Sequence, residues 1–140
     1  MKILLIYPYF IEERIRDDDV KVVPMGLYSV AAVLNENHCD VEILDWHEIN
    51  RTPEKVKEAL TLKKPDVIGL SVLHGNRWGA IDIARTAKQL NPKTKIVFGG
   101  IGATFLWEHL LRNFPEVDYV VLGEGEWTFL SLVRHFEKKQ

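Results

Sequence analysis

The chain has 140 residues, of which 46% are hydrophobic, 27% charged and 10% aromatic, a composition that argues against intrinsic disorder or a fibrous repeat and fits one globular domain. Lys and Arg number 18 against 20 Asp and Glu, and the formal charge of -2 provides no global field to recruit nucleic acid or an anionic membrane. One cysteine, Cys39, excludes an intramolecular disulfide and a thiolate-built zinc or iron-sulfur centre, so a reducing, cytoplasmic setting is expected.

Lys2 to Tyr7 is apolar but too short for a secretory core and lacks a small-residue cleavage site, which predicts a buried strand. A long irregular stretch follows from Pro8 to Val23, with Glu12, Glu13, Arg14, Arg16 and the triplet Asp17-Asp18-Asp19; the triplet reads as a solvated acidic loop in preference to a cation site. Met25, Leu27, Val30, Ala31 and Leu34 recur at helical spacing behind Pro24, with Asn37 as the stop. A strand at Asp40 to Leu44 leads to a second helix, capped by Thr52 ahead of Pro53 and striped by Val56, Ala59 and Leu60. Asp66 to Leu70 predicts the third strand. Trp78, Ile81, Ala84, Ala87 and Leu90 predict the helix after it, ended by Asn91-Pro92. The strand at Lys95 to Phe98 precedes a helix striped by Leu106, Trp107, Leu110, Leu111 and Phe114, with Trp107 expected in the core. A fifth strand, Tyr119 to Leu122, and a helix carrying Phe129, Leu130, Val133 and Phe136 complete the pattern.

Most of these strands lack strict alternation, as strands covered on both faces do. Strand and helix alternate five times, and right-handed crossovers turn that order into an α/β fold. The expectation is a doubly wound, open, five-stranded parallel sheet of flavodoxin-like order 2-1-3-4-5, with helices on both faces, as a single domain over residues 1-140. No stretch approaches the roughly 20 apolar residues of a membrane span.

Ligands of such sheets dock at the carboxyl ends of the strands, where strand order reverses. Those ends read Tyr7-Pro8-Tyr9, Asp45-Trp46-His47, Ser71-Val72-Leu73-His74-Gly75-Asn76, Gly99-Gly100-Ile101-Gly102-Ala103-Thr104 and Gly123-Glu124-Gly125-Glu126. Gly99 and Gly100 lack a Cβ and accept positive φ, which suits either a slot for a flat or extended group or a tight turn. Ser71 offers a hydroxyl to a ligand or to a local turn. Glu124 and Glu126 are candidate acid-base or metal groups, although Glu126 also suits a helix N-terminus for its charge alone. The histidines His38, His47, His74, His109 and His135 form no close metal pair, and Trp78 is the better of the tryptophans for stacking on a planar ligand. Tyr-Pro-Tyr after strand one offers few backbone donors and no hydroxyl-rich, Gly-rich phosphate cradle of the flavodoxin type, which disfavours FMN. Tyr7-Pro8, Ser71 and Gly123 stand where a phosphoryl-accepting receiver needs acids and a lysine, and Gly100-x-Gly102 lacks the third glycine of a dinucleotide fingerprint.

Taken in order, Lys-Ile-Leu-Leu-Ile-Tyr-Pro, Pro24-Met25-Gly26-Leu27, Val41-Glu42-Ile43-Leu44-Asp45, Pro65-Asp66-Val67-Ile68-Gly69-Leu70-Ser71, Val97-Phe98-Gly99-Gly100 with Thr104, and Val117 through Glu126 resemble the N-terminal cobalamin-binding domain of cobalamin-dependent radical SAM proteins. The resemblance covers nearly the whole chain. It implies that the corrinoid's nucleotide tail lies in the cleft formed by Ser71-Val72-Leu73 and Gly99-Gly100. The cofactor contacts expected on this basis are Tyr7, Pro8, Ser71, Val72, Leu73, Gly99, Gly100, Thr104, Gly123, Glu124 and Gly125. Relatives of the mutase and methionine synthase type carry Asp-x-His-x-x-Gly after strand one, with His as the lower cobalt ligand, whereas Pro8 to Gly26 here contains no His. A cobalt without a histidine from that loop is therefore expected, alongside the alternative of a domain that keeps the fold, binds no corrinoid and serves as an interaction or regulatory module. The family's CxxxCxxC cluster motif belongs to a following barrel, and Cys39 is no substitute for it. S-adenosylmethionine and the iron-sulfur cluster are accordingly assigned to that barrel, and no activity is expected of this chain alone. A free-standing hydrolase or transferase using Glu124 and His74 lacks any nucleophile-base pair at recognisable spacing.

Overall fold

Five parallel strands hydrogen-bond in the order β2-β1-β3-β4-β5 in a computed structural model that describes residues 1-11, 23-44 and 52-139. The strands are β1 (Lys2–Ile6), β2 (Asp40–Leu44), β3 (Val67–Ser71), β4 (Lys95–Gly99) and β5 (Tyr119–Val120). Between and after them run α1 (Met25–Glu36), α2 (Pro53–Lys63), α3 (Arg77–Leu90), α4 (Ile101–Asn113) and α5 (Glu126–Lys138). The expected strand order and the helices on both faces are thus borne out. Glu12 to Asp19, Trp46 and His47, singled out from the sequence, lie outside the described residues.

The order follows from crossover handedness. The connection from β1 to β2 runs one way along the sheet and every later one runs the other way, so α1 and α5 share one face while α2 and α3 pack together on the opposite face. The central strands are apolar throughout because both faces are covered: Ile3 to Ile6 on β1 and Val67, Ile68 and Leu70 on β3 are all buried. Helix limits match the local chemistry. Pro53 occupies the first turn of α2, where its missing N–H costs no bond, and the Val56 N–H closes that turn on the Thr52 carbonyl. Asn37 and Asn91 cap α1 and α3 at their carboxyl ends.

Several local expectations need correction. Strand β5 stops at Val120, two residues short of Leu122, although the Val121 N–H still reaches the Phe98 carbonyl at 2.8 Å. Trp107 is 45% exposed, not part of the core. The rotation of α4 explains this, because Gly102, Ala103 and Leu110 face inward, and a Cβ on Gly102 would come within 2.7 Å of the Leu73 backbone. The small residues set which side approaches the sheet, leaving Trp107 and Leu111 on the outer side. Met25, at the start of α1, is 67% exposed, so the buried stripe of that helix begins at Leu27. No helix among the described residues is long and apolar enough to cross a membrane.

Candidate functional site

The registered pair Ser71 and Gly99 ends β3 and β4 side by side. Side chains alternate along a strand, so Gly69 and Ser71 on β3, with Val97 and Gly99 on β4, share one face. That face is the one under α1 and α5. Two glycines among these four positions leave a depression of about 210 Å³ at the carboxyl edge of the sheet. Leu27 and Val30 of α1 wall it, Phe129 of α5 lies across its floor, and Gly123 to Glu126 close its far side. The two strand tips therefore converge on one cleft, as the slot reading requires.

The glycines do different work. A Cβ on Gly99 would meet nothing within 4 Å, so this position opens directly onto the cleft. Gly123, with φ +66°, likewise faces open space. Gly100 has φ +91°, and a Cβ there would lie 2.9 Å from the Val72 carbonyl oxygen and 3.5 Å from Ser71 Oγ. Its missing side chain makes room for the protein's own β3 loop, as does that of Gly102. The loops are tied by the Val72 N–H donating to the Gly99 carbonyl at 2.8 Å and the Gly102 N–H donating to the Val72 carbonyl at 2.9 Å. Of the two readings of the Gly-Gly pair, slot and tight turn, the first describes Gly99 and the second Gly100.

Two polar side chains brace the rim. Thr104 Oγ1 donates to the Gly100 carbonyl at 2.9 Å and accepts from the Gly123 N–H at 3.0 Å, joining the β4 and β5 loops. Asn76, fully buried, accepts the Leu73 N–H at 2.7 Å through Oδ1 and donates to the Ser71 carbonyl at 3.2 Å through Nδ2. These bonds satisfy backbone groups that the β3 ladder leaves free as the chain departs from the sheet.

Of the residues predicted from sequence, Ser71, Gly99, Gly100, Gly123, Glu124 and Gly125 line the cleft together. Tyr7, Pro8, Val72, Leu73 and Thr104 do not line it. Tyr7 is 2% exposed and meets Phe10 edge-on at 6.5 Å, Pro8 and Val72 are buried, and Thr104 is the brace just described. Trp78 is held against Phe114 at 6.1 Å with the Arg77 guanidinium over its ring at 4.9 Å, so the structure gives it protein partners on α3 and at the end of α4. Glu126 is in the first turn of α5, where its charge complements the helix dipole. Glu124 lines the cleft and His74 does not, so the acid-base pairing of these two is not assembled. Among the described residues no group of three or more His, Cys, Asp or Glu is placed to hold a metal ion.

Sequence reading missed Gly69, Leu27, Val30 and Phe129 as parts of the cleft. A Cβ on Gly69 would strike Leu5 Cδ2 at 2.7 Å and the Phe129 ring at 3.0 Å, so this glycine lets Phe129 lie low over β3 and form the floor. Its signal was available, since Gly69 stands two residues before Ser71 and period two puts both on one face.

The lining carries no Lys, Arg or His, and its floor is apolar, which favours the flat, uncharged portion of a ligand over a free phosphate. Drug-sized ligands fill roughly 300-1,000 Å³. The cleft is smaller than that range, so it can seat one arm of a large molecule with the remainder outside. A base with a sugar attached suits this shape, and the residues present fit such a group.

The chain matches the B12 binding domain family over residues 15-133 and belongs to it. It is 33% identical over 138 residues to an uncharacterized methyltransferase of Pyrococcus horikoshii, covering 99% of this chain and 30% of that protein. It is 33% identical over 96 residues to an anaerobic magnesium-protoporphyrin IX monomethyl ester cyclase of Rubrivivax gelatinosus, covering 69% of this chain and 17% of the relative. A hopanoid C-3 methylase of Methylococcus capsulatus is 31% identical over 109 residues, 76% of this chain and 21% of that protein. The chain thus spans less than a third of the length of these relatives. The cofactor of the matched family, cobalamin, is the one expected from the sequence.

Proposed function

We propose that this chain is the cobalamin-binding module of a larger radical SAM protein, with the nucleotide arm of the corrinoid in the cleft between the β3 and β4 tips. The observation that carries this reading is the open Gly99 beside Ser71, over a floor of Phe129, at the carboxyl edge of a B12-family sheet. Ser71, Gly99, Gly123 and Gly125 border the arm, while Leu27, Val30 and Phe129 exclude water from the base. The corrin ring, too large for the cleft, rests outside on the carboxyl edge. When bound, cobalamin supplies a cobalt-carbon bond that carries an alkyl group. Cobalt receives no histidine from residues 8-26, because that segment contains none.

The parent protein transfers a methyl group or closes a ring, in keeping with the names of the relatives. Its S-adenosylmethionine and iron-sulfur cluster reside in a barrel carboxyl-terminal to this module, and the module's role is to present the corrinoid to that barrel. The test compares hydroxocobalamin with cobinamide, which has the same ring and no nucleotide arm, in anaerobic equilibrium dialysis. Retention of hydroxocobalamin with a marked loss of affinity for cobinamide is expected. Equal affinity for the two would place the arm outside the cleft.

A further inference from the structure

On the face opposite the corrinoid cleft, at the amino edge of the sheet, α2 and α3 part over β3 to leave a second cavity of about 270 Å³. Its walls are core residues, Leu60, Ile68 and Ala87, with Leu90 at the lip. Thr61, Lys64, Asn91 and Thr94 make its mouth polar, so the unmet dispersion contacts are those of the Leu60, Ile68 and Ala87 floor. An apolar group reaching that floor would recover them.

The rim specifies more. Thr61 Oγ1 is committed to the Lys57 carbonyl at 2.7 Å and Thr94 Oγ1 to the Pro65 carbonyl at 3.0 Å. Lys63 pairs with Glu42 at 2.6 Å, away from the cavity lining. Lys64 differs, since no described carboxylate lies within ion-pair distance of its ammonium group and no acid lines the cavity. Its backbone is left-handed, φ 47° and ψ 57°, pinned by its N–H to the Leu60 carbonyl at 2.9 Å and by Pro65 after it. A lysine therefore stands where glycine would be unstrained, its backbone fixed at the rim of the cavity.

We infer that this cavity is a second ligand site, taking the apolar body of a small monocarboxylate whose anionic head meets Lys64. A single cation in a lining that holds no acid matches one negative charge; the hydroxyls of Thr61 and Thr94 are already spent on the chain, and Asn91, whose Oδ1 accepts the Lys93 N–H at 3.1 Å, adds a neutral amide to the rim. The site shares no lining residue with the corrinoid cleft, so it stands apart from the proposed function.

Octanoate and its neutral counterpart 1-octanol are the probes, kept below their micelle or solubility thresholds and titrated into the 140-residue chain with methyl-labelled Ile and Leu. Octanoate should shift the methyl signals of Leu60, Ile68 and Leu90 saturably. Lys64→Gln should weaken octanoate by roughly 1.5- to 5-fold, the span of an exposed ion pair, and leave octanol unchanged. Thr61→Trp, at the cavity mouth, should fill the cavity and abolish both sets of shifts. Absence of a saturable response at these methyls would overturn the site, as would native-like binding in Thr61→Trp. Equal loss of octanoate and octanol in Lys64→Gln would overturn the assignment of an anion. Should Thr61→Trp fail to fold, the native and Lys64→Gln titrations still decide between these results.

Discussion

Alanine at Gly99 and at Gly100 should have opposite effects on the fold, although the two positions are adjacent. At Gly100 an L-residue is forced to φ +91° and ψ 176°, a region essentially confined to glycine that costs about 1-3 kcal/mol. Its Cβ also lands 2.9 Å from the Val72 carbonyl oxygen and 3.2 Å from the Val72 nitrogen, and backbone tied at both ends cannot yield cheaply; overpacking of this kind costs about 1-3 kcal/mol. Against these penalties, removing a glycine restricts the unfolded chain and returns about 0.4-1 kcal/mol. The net expectation for Gly100→Ala is a loss of about 1-6 kcal/mol, a large part of the roughly 5-15 kcal/mol that holds a domain together. At Gly99 the Cβ meets nothing, so only the unfolded-state effect remains and Gly99→Ala should be neutral or stabilising by up to about 1 kcal/mol. Urea unfolding of both variants, compared by midpoint at unchanged slope, measures the difference. Equal destabilisation by the two substitutions, or a neutral Gly100→Ala, would refute this division of roles.

Asn76→Ala should leave the Leu73 N–H and the Ser71 carbonyl without these partners in a partly buried setting, a loss of about 1-3 kcal/mol in the same urea assay. Thr104→Val removes the brace between Gly100 and Gly123, and amide exchange at Gly123 should accelerate; unchanged protection there would show that the brace is dispensable. Tyr9 has its phenol pushed up to about 12 by burial first and by the Asp82 carboxylate second. Because the folded value is raised, the neutral phenol's contribution to stability is complete below pH 10 and is lost as pH rises towards 12. Tyr9→Phe should flatten that alkaline decline, and a decline of the same size in the variant would assign it to another group. With the corrinoid loaded and reduced to Co(II), the electron paramagnetic resonance spectrum should be unchanged when the protein's histidines are 15N-labelled, whereas an axial-nitrogen triplet that becomes a doublet on that labelling would contradict a cobalt free of histidine.

The fold was legible in the sequence because each element announces its own period and limits. Unbroken apolar runs marked strands covered on both faces, and Pro53, Asn37 and Asn91 marked helix ends that the structure keeps. The rotation of α4 was not legible. Leu106, Trp107, Leu110 and Leu111 permit several inward faces, and the choice is made by Gly102 and Ala103 pressing against the β3 loop. The cleft was legible at its tips, Ser71 and Gly99, for the reason that a small residue at the carboxyl end of a buried strand is exposed to whatever docks there. Which neighbour a missing Cβ accommodates is a property of the fold, so Gly99 and Gly100 looked alike in sequence. Phe129 and Leu27 read only as core stripes, and Asn76 only as one letter of a loop, because their partners lie on other elements.

The most direct measurement is an anaerobic titration of the chain with hydroxocobalamin, followed by gel filtration and the corrin absorption of the protein peak, run beside Gly99→Trp. A Cβ at this position meets nothing within 4 Å and opens onto the cleft, so the variant should fold as the native chain does, which its circular dichroism checks. One equivalent of corrinoid retained by the native chain and none by Gly99→Trp is the predicted result. A native chain that emerges colourless, or a variant that retains corrinoid as well as the native chain, would contradict a nucleotide arm seated beside Gly99.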